Sequence, residues 1–151
     1  MTVEVGQLAP DFTLRDQNGA DVTLSSFRGR ENVLVAFFPL AFTGVCTAEM
    51  CAFSEDYSKF ERAGTRVLPV SVDAVPSLKA FKEKERMSVD LLSDFHRTAS
   101  RAYGVLIEEK NLSQRAYFLV DQQGLLRWSH VESELGHRRE DGELLEQIGK
   151  L

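Results

Sequence analysis

The residues of this chain best suited to chemistry are its two cysteines, Cys46 and Cys51. Cys46 lies where an apolar run gives way to a helical pattern, so its thiol belongs to the first turn of a helix. Unpaired backbone N–H groups and the positive end of the helix dipole favour an anion there. Because the thiolate is the nucleophilic form of cysteine, the pattern indicates a reactive Cys46, with a buried inert cysteine as the alternative.

Two neighbours of Cys46 could complete a reactive site. Thr43 lies three positions earlier, where its hydroxyl could reach the sulfur or an oxygen bound beside it. Pro39 offers no backbone N–H and could wall off one side of a pocket. The pocket is expected at the carboxyl end of a buried strand, the usual ligand site of open α/β sheets.

The elements that must position these residues follow from the apolar periodicity and the turn residues. Predicted strands cover 11–14 and 21–24, which form an N-terminal β-hairpin, then 32–38, 65–72, 91–92, 114–120 and 125–131. Predicted helices cover 43–63, 75–87, 97–103 and 138–149. This order predicts an α/β domain over residues 1–151, with a mixed central sheet flanked by helices, as in a thioredoxin-like fold with an N-terminal extension.

Composition and charge exclude several classes of function. The chain has 151 residues and a net charge of −5, which disfavours binding to nucleic acid or to anionic lipid. Residues 1–5 lack the features of a signal peptide, and no apolar run is long enough to span a membrane. Two thiols are too few for the disulfide framework of a small secreted domain. A cytoplasmic location is therefore expected.

Three segments of the chain resemble the peroxiredoxin family. Pro39-x-x-x-Thr43-x-x-Cys46 resembles its active-site motif, and residues 6–14, GQLAPDFTL, are similar to its usual N-terminal stretch. Residues 115–124, RAYFLVDQQG, resemble its arginine strand and the turn that follows. The resemblance covers almost the whole chain in the right order. It implies a thioredoxin fold and a thiol peroxidase that reduces hydrogen peroxide and organic hydroperoxides.

The resemblance also assigns roles to individual residues. Cys46 would be the peroxidatic cysteine, which attacks the peroxide and becomes a sulfenic acid. Thr43 would bind the peroxide oxygens, Pro39 would shield the thiolate, and Arg115 would complete the pocket. The guanidinium of Arg115 is always charged and carries several donors, so it could stabilise the thiolate and polarise the peroxide. An exposed arginine in an ion pair is the alternative for Arg115.

The resemblance to two peroxiredoxin subfamilies implies two different roles for Cys51. On a continuous helix its Cα would lie roughly 8–9 Å from that of Cys46, beyond the usual disulfide limit, so pairing requires the helix to unwind. The five-residue spacing is similar to PrxQ (bacterioferritin comigratory protein) members, in which the second cysteine resolves the sulfenic acid as an intramolecular disulfide. Residues 37–44, FFPLAFTG, are more similar to AhpE-type one-cysteine enzymes. We favour resolution by Cys51, with a one-cysteine cycle or an inert core cysteine as alternatives.

The remaining expectations concern Glu49, cofactors and partners. Glu49 is interpreted as a first-turn carboxylate favoured by the helix dipole, with a hydrogen-bond relay near the thiolate as the alternative. The implied chemistry requires no metal or organic cofactor. Expected partners are a peroxide and a reductant, which is thioredoxin if a disulfide forms and a glutaredoxin-like protein or small thiol if not. The chain could be a monomer or a homodimer.

Three other functions are alternatives to a peroxidase. A dithiol oxidoreductase would need a Cys-x-x-Cys pair, whereas four residues separate Cys46 from Cys51. A metal carrier would need further soft or imidazole ligands near the cysteines. A non-enzymatic chaperone or interaction protein of thioredoxin fold is not excluded by any motif.

Overall fold

A seven-stranded mixed sheet forms the centre of the fold in the computed structural model, which describes residues 3–151. The strands are β1 (Thr13–Asp16), β2 (Asp21–Thr23), β3 (Asn32–Phe37), β4 (Thr65–Ser71), β5 (Leu92–Ser93), β6 (Leu106–Ile107), β7 (Leu112–Ser113), β8 (Ala116–Val120) and β9 (Leu126–Val131). The helices are α1 (Gly44–Glu55), α2 (Tyr57–Arg62), α3 (Val75–Glu85), α4 (Thr98–Ala102) and α5 (Asp141–Ile148). Met1 and Thr2, which belong to the segment used to argue against a signal peptide, lie outside the described residues.

The strand order in the sheet is β2-β1-β5-β4-β3-β8-β9. β3, β4 and β5 run parallel to one another, while β8 is antiparallel to β3 and β9 is antiparallel to β8. β1 joins the other side of the sheet antiparallel to β5 and pairs with β2 as an N-terminal hairpin. The predicted α/β class, with a mixed sheet and an N-terminal hairpin, is confirmed.

β3 lies inside the sheet, between β4 and β8, and is buried on both faces. Val33, Val35 and Phe37 pack into one apolar cluster with β8 and the N-terminal segment. Leu34 and Ala36 pack into a second cluster on the opposite face, beneath α1, α3 and α5. Because side chains alternate along a strand, a central strand covered on both faces must be apolar throughout. The functional segment therefore follows a strand that is buried on both faces.

The long helix predicted over residues 43–63 is wrong, since the structure divides it at Asp56. The backbone of Asp56 departs from helical angles, with φ −95° and ψ 10°, and its N–H donates to the carbonyl of Ala52. Aspartate has a low intrinsic propensity for helix interiors. The Asp56 carboxylate makes no capping hydrogen bond to the backbone of α2 and pairs with Lys59 Nζ at 3.1 Å. The Asp56 carboxylate faces that of Asp141 at the start of α5.

The N-terminal hairpin is shifted from its predicted bounds. β1 begins two residues later than expected because the Asp11 carboxylate accepts hydrogen bonds from the backbone N–H groups of Phe12 and Ser25. A carboxylate that holds the backbone in this way competes with strand pairing. Leu24, predicted as the end of the second strand, instead begins a short 3-10 helix, Leu24–Phe27.

Several shorter differences separate the predicted and observed elements. The strand expected over 91–92 is displaced by one residue, and the last helix begins at Asp141 rather than 138. The small β6–β7 hairpin was not predicted, because two-residue strands leave no periodic pattern. Within residues 3–151, no helix is both long enough and apolar enough to cross a membrane.

Candidate active site

The functional segment begins where β3 ends. Phe38 continues the strand by donating its backbone N–H to the carbonyl of Val70 on β4, at 2.9 Å. Pro39 follows and is buried, in the position where the sequence predicts a wall of the pocket. Proline has no N–H for the ladder, so pairing stops and the chain turns away from the sheet.

Asp73, just after β4, holds this loop in place. Its Oδ2 accepts hydrogen bonds from the backbone N–H of Ala41, at 2.9 Å, and from the hydroxyl of Ser71, at 2.6 Å. Its backbone carbonyl accepts a bond from the hydroxyl of Ser93, which follows on the next parallel strand, at 2.6 Å. The loop that precedes Cys46 is therefore fixed to two strands of the sheet.

Phe42 adopts a left-handed backbone conformation, with φ 65°, immediately before the helix. This conformation costs a non-glycine residue on the order of 1–3 kcal/mol. The Phe42 ring packs against Phe81 of α3, with ring centroids 5.0 Å apart, and Lys84 Nζ lies 5.6 Å from its centroid. These contacts offset the strain, and half of the Phe42 surface stays exposed. Nothing in the sequence pattern indicates this conformation.

Thr43 begins α1 through its backbone, because its carbonyl accepts a hydrogen bond from the N–H of Thr47 at 2.9 Å. Its hydroxyl was expected to reach the sulfur of Cys46 or an oxygen beside it. The structure instead directs that hydroxyl to the carbonyl of Leu40, to which it donates at 2.8 Å. The Thr43 side chain is exposed.

Cys46 is the third residue of α1, in the helical first turn that the sequence predicts. It is a free thiol and is 1% exposed. Nη2 of Arg115, from the residue just before β8, donates to Cys46 Sγ at 3.1 Å. The structure therefore brings together the two residues that the sequence separates by 69 positions.

The Arg115 side chain is buried and held from several directions, contrary to the alternative of an exposed ion pair. Its Nη1 donates to Glu49 Oε1 at 2.9 Å, and its Nη2 donates also to the carbonyl of Leu135 at 3.1 Å. Its Nε is buried and lacks a hydrogen-bond partner among residues 3–151. A guanidinium fixed at both ends of its fork keeps its charge directed at Cys46.

Glu49 is not the first-turn carboxylate that the sequence interpretation favoured. It is the sixth residue of α1, is fully buried, and accepts hydrogen bonds from Arg115 and from the Tyr117 hydroxyl. Burial raises the pKa of Glu49, while the guanidinium of Arg115 and the hydroxyl of Tyr117 act in the opposite direction. The alternative interpretation, a hydrogen-bond network beside the thiol, agrees with this geometry.

Cys51 lies apart from this network although it belongs to the same helix. Its thiol is free and partly buried, and its Sγ donates to Glu85 Oε2 on α3 at 3.9 Å. Burial raises the pKa of the Cys51 thiol, and the carboxylates of Glu85 and Glu55 add to the effect. α1 is continuous from Cys46 through Cys51, so the resting structure does not present the two thiols to each other.

Sequence reasoning missed Tyr117 and the Leu135 carbonyl. Tyr117 follows Arg115 by two positions, so a β-strand period places both side chains on one face of the sheet. That signal was available, because Tyr117 is the one polar-tipped side chain in the apolar strand 116–120. The Leu135 carbonyl carries no side-chain signal, and only the folded chain brings it to Arg115.

Comparisons with known proteins identify relatives of this chain. The model of the AhpC/TSA family matches residues 5–129. Alkyl hydroperoxide reductase E of Mycobacterium tuberculosis is 42% identical over 132 residues, which cover 86% of each chain. Putative peroxiredoxin bcp of Coxiella burnetii is 33% identical over the full length of both chains. The reduced 2-Cys peroxiredoxin of Plasmodium vivax superimposes with a TM-score of 0.89 at 31% identity, covering 96% of this chain and 80% of that one.

Proposed function

The chain belongs to the AhpC/TSA family and is a thiol-dependent peroxidase, a peroxiredoxin of the AhpE/PrxQ type, and on that premise we propose that Cys46 is the residue that attacks the peroxide. The observation that carries the proposal is the 3.1 Å hydrogen bond from Arg115 Nη2 to Cys46 Sγ, in the first turn of α1. A fixed positive charge and a helix start both favour the thiolate.

The reaction is a displacement at oxygen. The Cys46 thiolate donates an electron pair to the outer oxygen of the hydroperoxide, an S–O bond forms and the O–O bond breaks. The sulfur is oxidised to a sulfenic acid, which keeps the proton of the outer oxygen. The inner oxygen leaves as an alkoxide, or as hydroxide from hydrogen peroxide, and takes a proton from water to give the alcohol or water.

Arg115 stabilises the negative charge that moves from sulfur to the leaving oxygen. Because Glu49 and the Leu135 carbonyl hold its fork, no reorganisation is needed during the reaction.

Thr43 and Pro39 shape the pocket. The Thr43 hydroxyl donates a hydrogen bond to the Leu40 carbonyl. Its oxygen therefore keeps lone pairs that can accept a hydrogen bond from the O–H of the peroxide. Pro39, buried and without an N–H, shields the thiolate from water on its side.

We further propose that Cys51 resolves the sulfenic acid as an intramolecular disulfide. This step needs the first turns of α1 to unwind and the Cys51–Glu85 contact to break. The second candidate is a one-cysteine cycle in which an external thiol resolves Cys46. That candidate is favoured by the intact helix and by the carboxylates that keep the Cys51 thiol protonated.

Mass spectrometry after one equivalent of peroxide separates the two cycles. Resolution by Cys51 gives an internal Cys46–Cys51 disulfide in the wild type and a trappable sulfenic acid on Cys46 in Cys51→Ser. A persistent sulfenic or sulfinic acid on Cys46 of the wild type, with Cys51 free, would assign the one-cysteine cycle. Oxidation at another residue in Cys51→Ser would reject the role of Cys46 itself.

The enzyme uses a peroxide and a thiol reductant, and we propose finer assignments for both. Leu40 and Phe42 are exposed apolar residues beside the loop, which favours acceptance of organic hydroperoxides as well as hydrogen peroxide. Thioredoxin is the proposed reductant for the disulfide, and a glutaredoxin-like protein or small thiol for the one-cysteine cycle. Two free thiols suit a reducing compartment, so we place the enzyme in the cytoplasm, as a monomer or homodimer.

A further inference from the structure

The hydroxyl of Tyr117 has a fixed direction. The backbone N–H of Arg139, in the segment before α5, donates to the Tyr117 oxygen at 3.0 Å. A backbone N–H can only donate, so Tyr117 is the acceptor in that bond. The hydroxyl of Tyr117 therefore donates its hydrogen bond to Oε2 of Glu49. Tyr117 itself is fully buried.

Glu49 thereby has a donor on each carboxylate oxygen. Arg115 donates to Oε1 and Tyr117 donates to Oε2. Glu49 has no exposed surface, so these donors replace the water that would otherwise solvate the carboxylate. Hydrogen bonds donated to a carboxylate favour its ionised form. An ionised Glu49 is the anchor that holds one end of the Arg115 fork while the other end contacts Cys46.

We propose that Tyr117 is a positioning residue of the peroxidase, whose hydroxyl, oriented by the Arg139 amide, holds the Glu49 carboxylate so that Arg115 stays directed at Cys46. The proposal rests on the proposed function of Cys46 and Arg115. It assigns to Tyr117 no contact with substrate, and it connects the reactive thiol to the chain segment that precedes α5.

The charged groups around Glu49 define what the loss of Tyr117 would do. Arg115 from the start of β8 and Arg138 from the segment before α5 favour the Glu49 carboxylate, whereas Asp141 of α5 is a second nearby acid. Burial raises the pKa of Glu49, and Tyr117 opposes that rise. Without the hydroxyl, burial is less opposed, Glu49 binds a proton at higher pH, and Arg115 loses its ionic anchor. The damage is therefore greatest at low pH and diminishes as Glu49 ionises.

The test compares Tyr117→Phe with a matched deletion, Tyr103→Phe. Tyr103 is also buried, and its hydroxyl donates to the carbonyl of Pro10 at 2.7 Å, in the apolar cluster on the other face of the sheet. The rate of Cys46 oxidation by hydrogen peroxide is measured from pH 5 to 9 by stopped flow. In Tyr117→Phe it is expected to fall about tenfold at pH 6 and to approach the wild-type rate at pH 9. Tyr103→Phe is expected to keep the wild-type profile.

A double-mutant cycle with Glu49→Gln tests whether Tyr117 acts through Glu49. If Tyr117 acts through Glu49, adding Tyr117→Phe to Glu49→Gln changes the rate less than twofold, whereas an equal loss in both backgrounds would overturn the proposal. A loss in Tyr117→Phe that is the same at every pH would also overturn it, because that result indicates a general packing defect. If Cys46→Ser reacted with peroxide at the wild-type rate, the proposed function of Cys46 would be rejected. That result is distinct from the outcomes that test Tyr117.

An infrared difference spectrum between wild type and Glu49→Gln tests the same proposal without altering Tyr117. The expected result at pH 7 is the band of an ionised carboxylate assigned to Glu49. An un-ionised carboxyl band at that pH would overturn the proposal even if Tyr117→Phe did not fold.

Discussion

Arg115 Nη2 lies 3.1 Å from Cys46 Sγ, and the same guanidinium is held at its other end by Glu49 at 2.9 Å. The orientation of the guanidinium towards the sulfur is fixed, because Arg115 is almost fully buried and also donates a hydrogen bond to the Leu135 carbonyl. This relationship couples a helix start on one side of the sheet to the beginning of β8.

Arg115→Lys removes the fork but keeps the charge. One ammonium cannot contact Cys46, Glu49 and Leu135 with the same geometry. The second-order rate constant with hydrogen peroxide is expected to fall about a hundredfold. Arg127→Lys is the control, because Arg127 is partly exposed and pairs only with Asp121 in the described residues. An equal rate in Arg115→Lys and wild type would contradict the role of the fork.

Thr43→Val tests the hydroxyl that donates to the Leu40 carbonyl. Valine keeps the shape of threonine but cannot accept the O–H of the peroxide, so the rate constant is expected to fall about tenfold. Thr43→Ser retains the hydroxyl and is expected to stay within about threefold of wild type. Stopped-flow measurements on both variants decide, and a serine variant as slow as valine would show that the hydroxyl is not the cause.

Glu85→Gln removes the carboxylate that accepts from Cys51. Because Glu85 contributes to the raised pKa of the Cys51 thiol, the variant is expected to lower that pKa. Alkylation of Cys51 at pH 8 should then be several-fold faster than in wild type, as read by peptide mass spectrometry. Glu83→Gln, a neighbouring exposed position on α3, is the charge-matched control. Unchanged alkylation in Glu85→Gln would mean that the contact does not control Cys51.

Asp141 makes stability depend on pH. Burial raises its pKa to about 7, and the facing Asp56 carboxylate adds to the effect. A carboxyl with a folded-state pKa above its unfolded value of 3.8 stabilises the protein at low pH, and this contribution is lost as pH rises from about 4 to 7.

Asp141→Asn is therefore expected to raise the free energy of unfolding at pH 8 by about 1–2 kcal/mol and to have little effect at pH 5. Urea unfolding at the two pH values measures this difference, with the exposed Glu146→Gln as control. A variant that is destabilised equally at both values would contradict the raised pKa of Asp141 as the source of the pH dependence.

Much of the fold was predictable because its central strands carry strong patterns. The run 32–38 is apolar on both faces, as a strand in the middle of a covered sheet must be. The break at Asp56 was not predicted, because it depends on one residue whose carboxylate meets Asp141 some 85 positions later. Element existence follows from periodicity, whereas element ends follow from such single contacts.

The candidate site was predictable to the level of residue types and not of their contacts. Cys46 and Arg115 were named from a motif, and the structure places them together. The burial of Glu49 and its contact with the Tyr117 hydroxyl arise from tertiary packing, whereas the bond from Thr43 to Leu40 is a local turn contact that the motif does not specify. The strand period that places Arg115 and Tyr117 on one face was the single usable signal.

The most direct test of the account is the single-turnover rate of hydrogen peroxide consumption by the reduced protein, compared between wild type and Cys46→Ser. The account predicts rapid consumption by the wild type and none above background by the serine variant, with Cys51→Ser retaining the first turnover. Consumption by Cys46→Ser at the wild-type rate would contradict it.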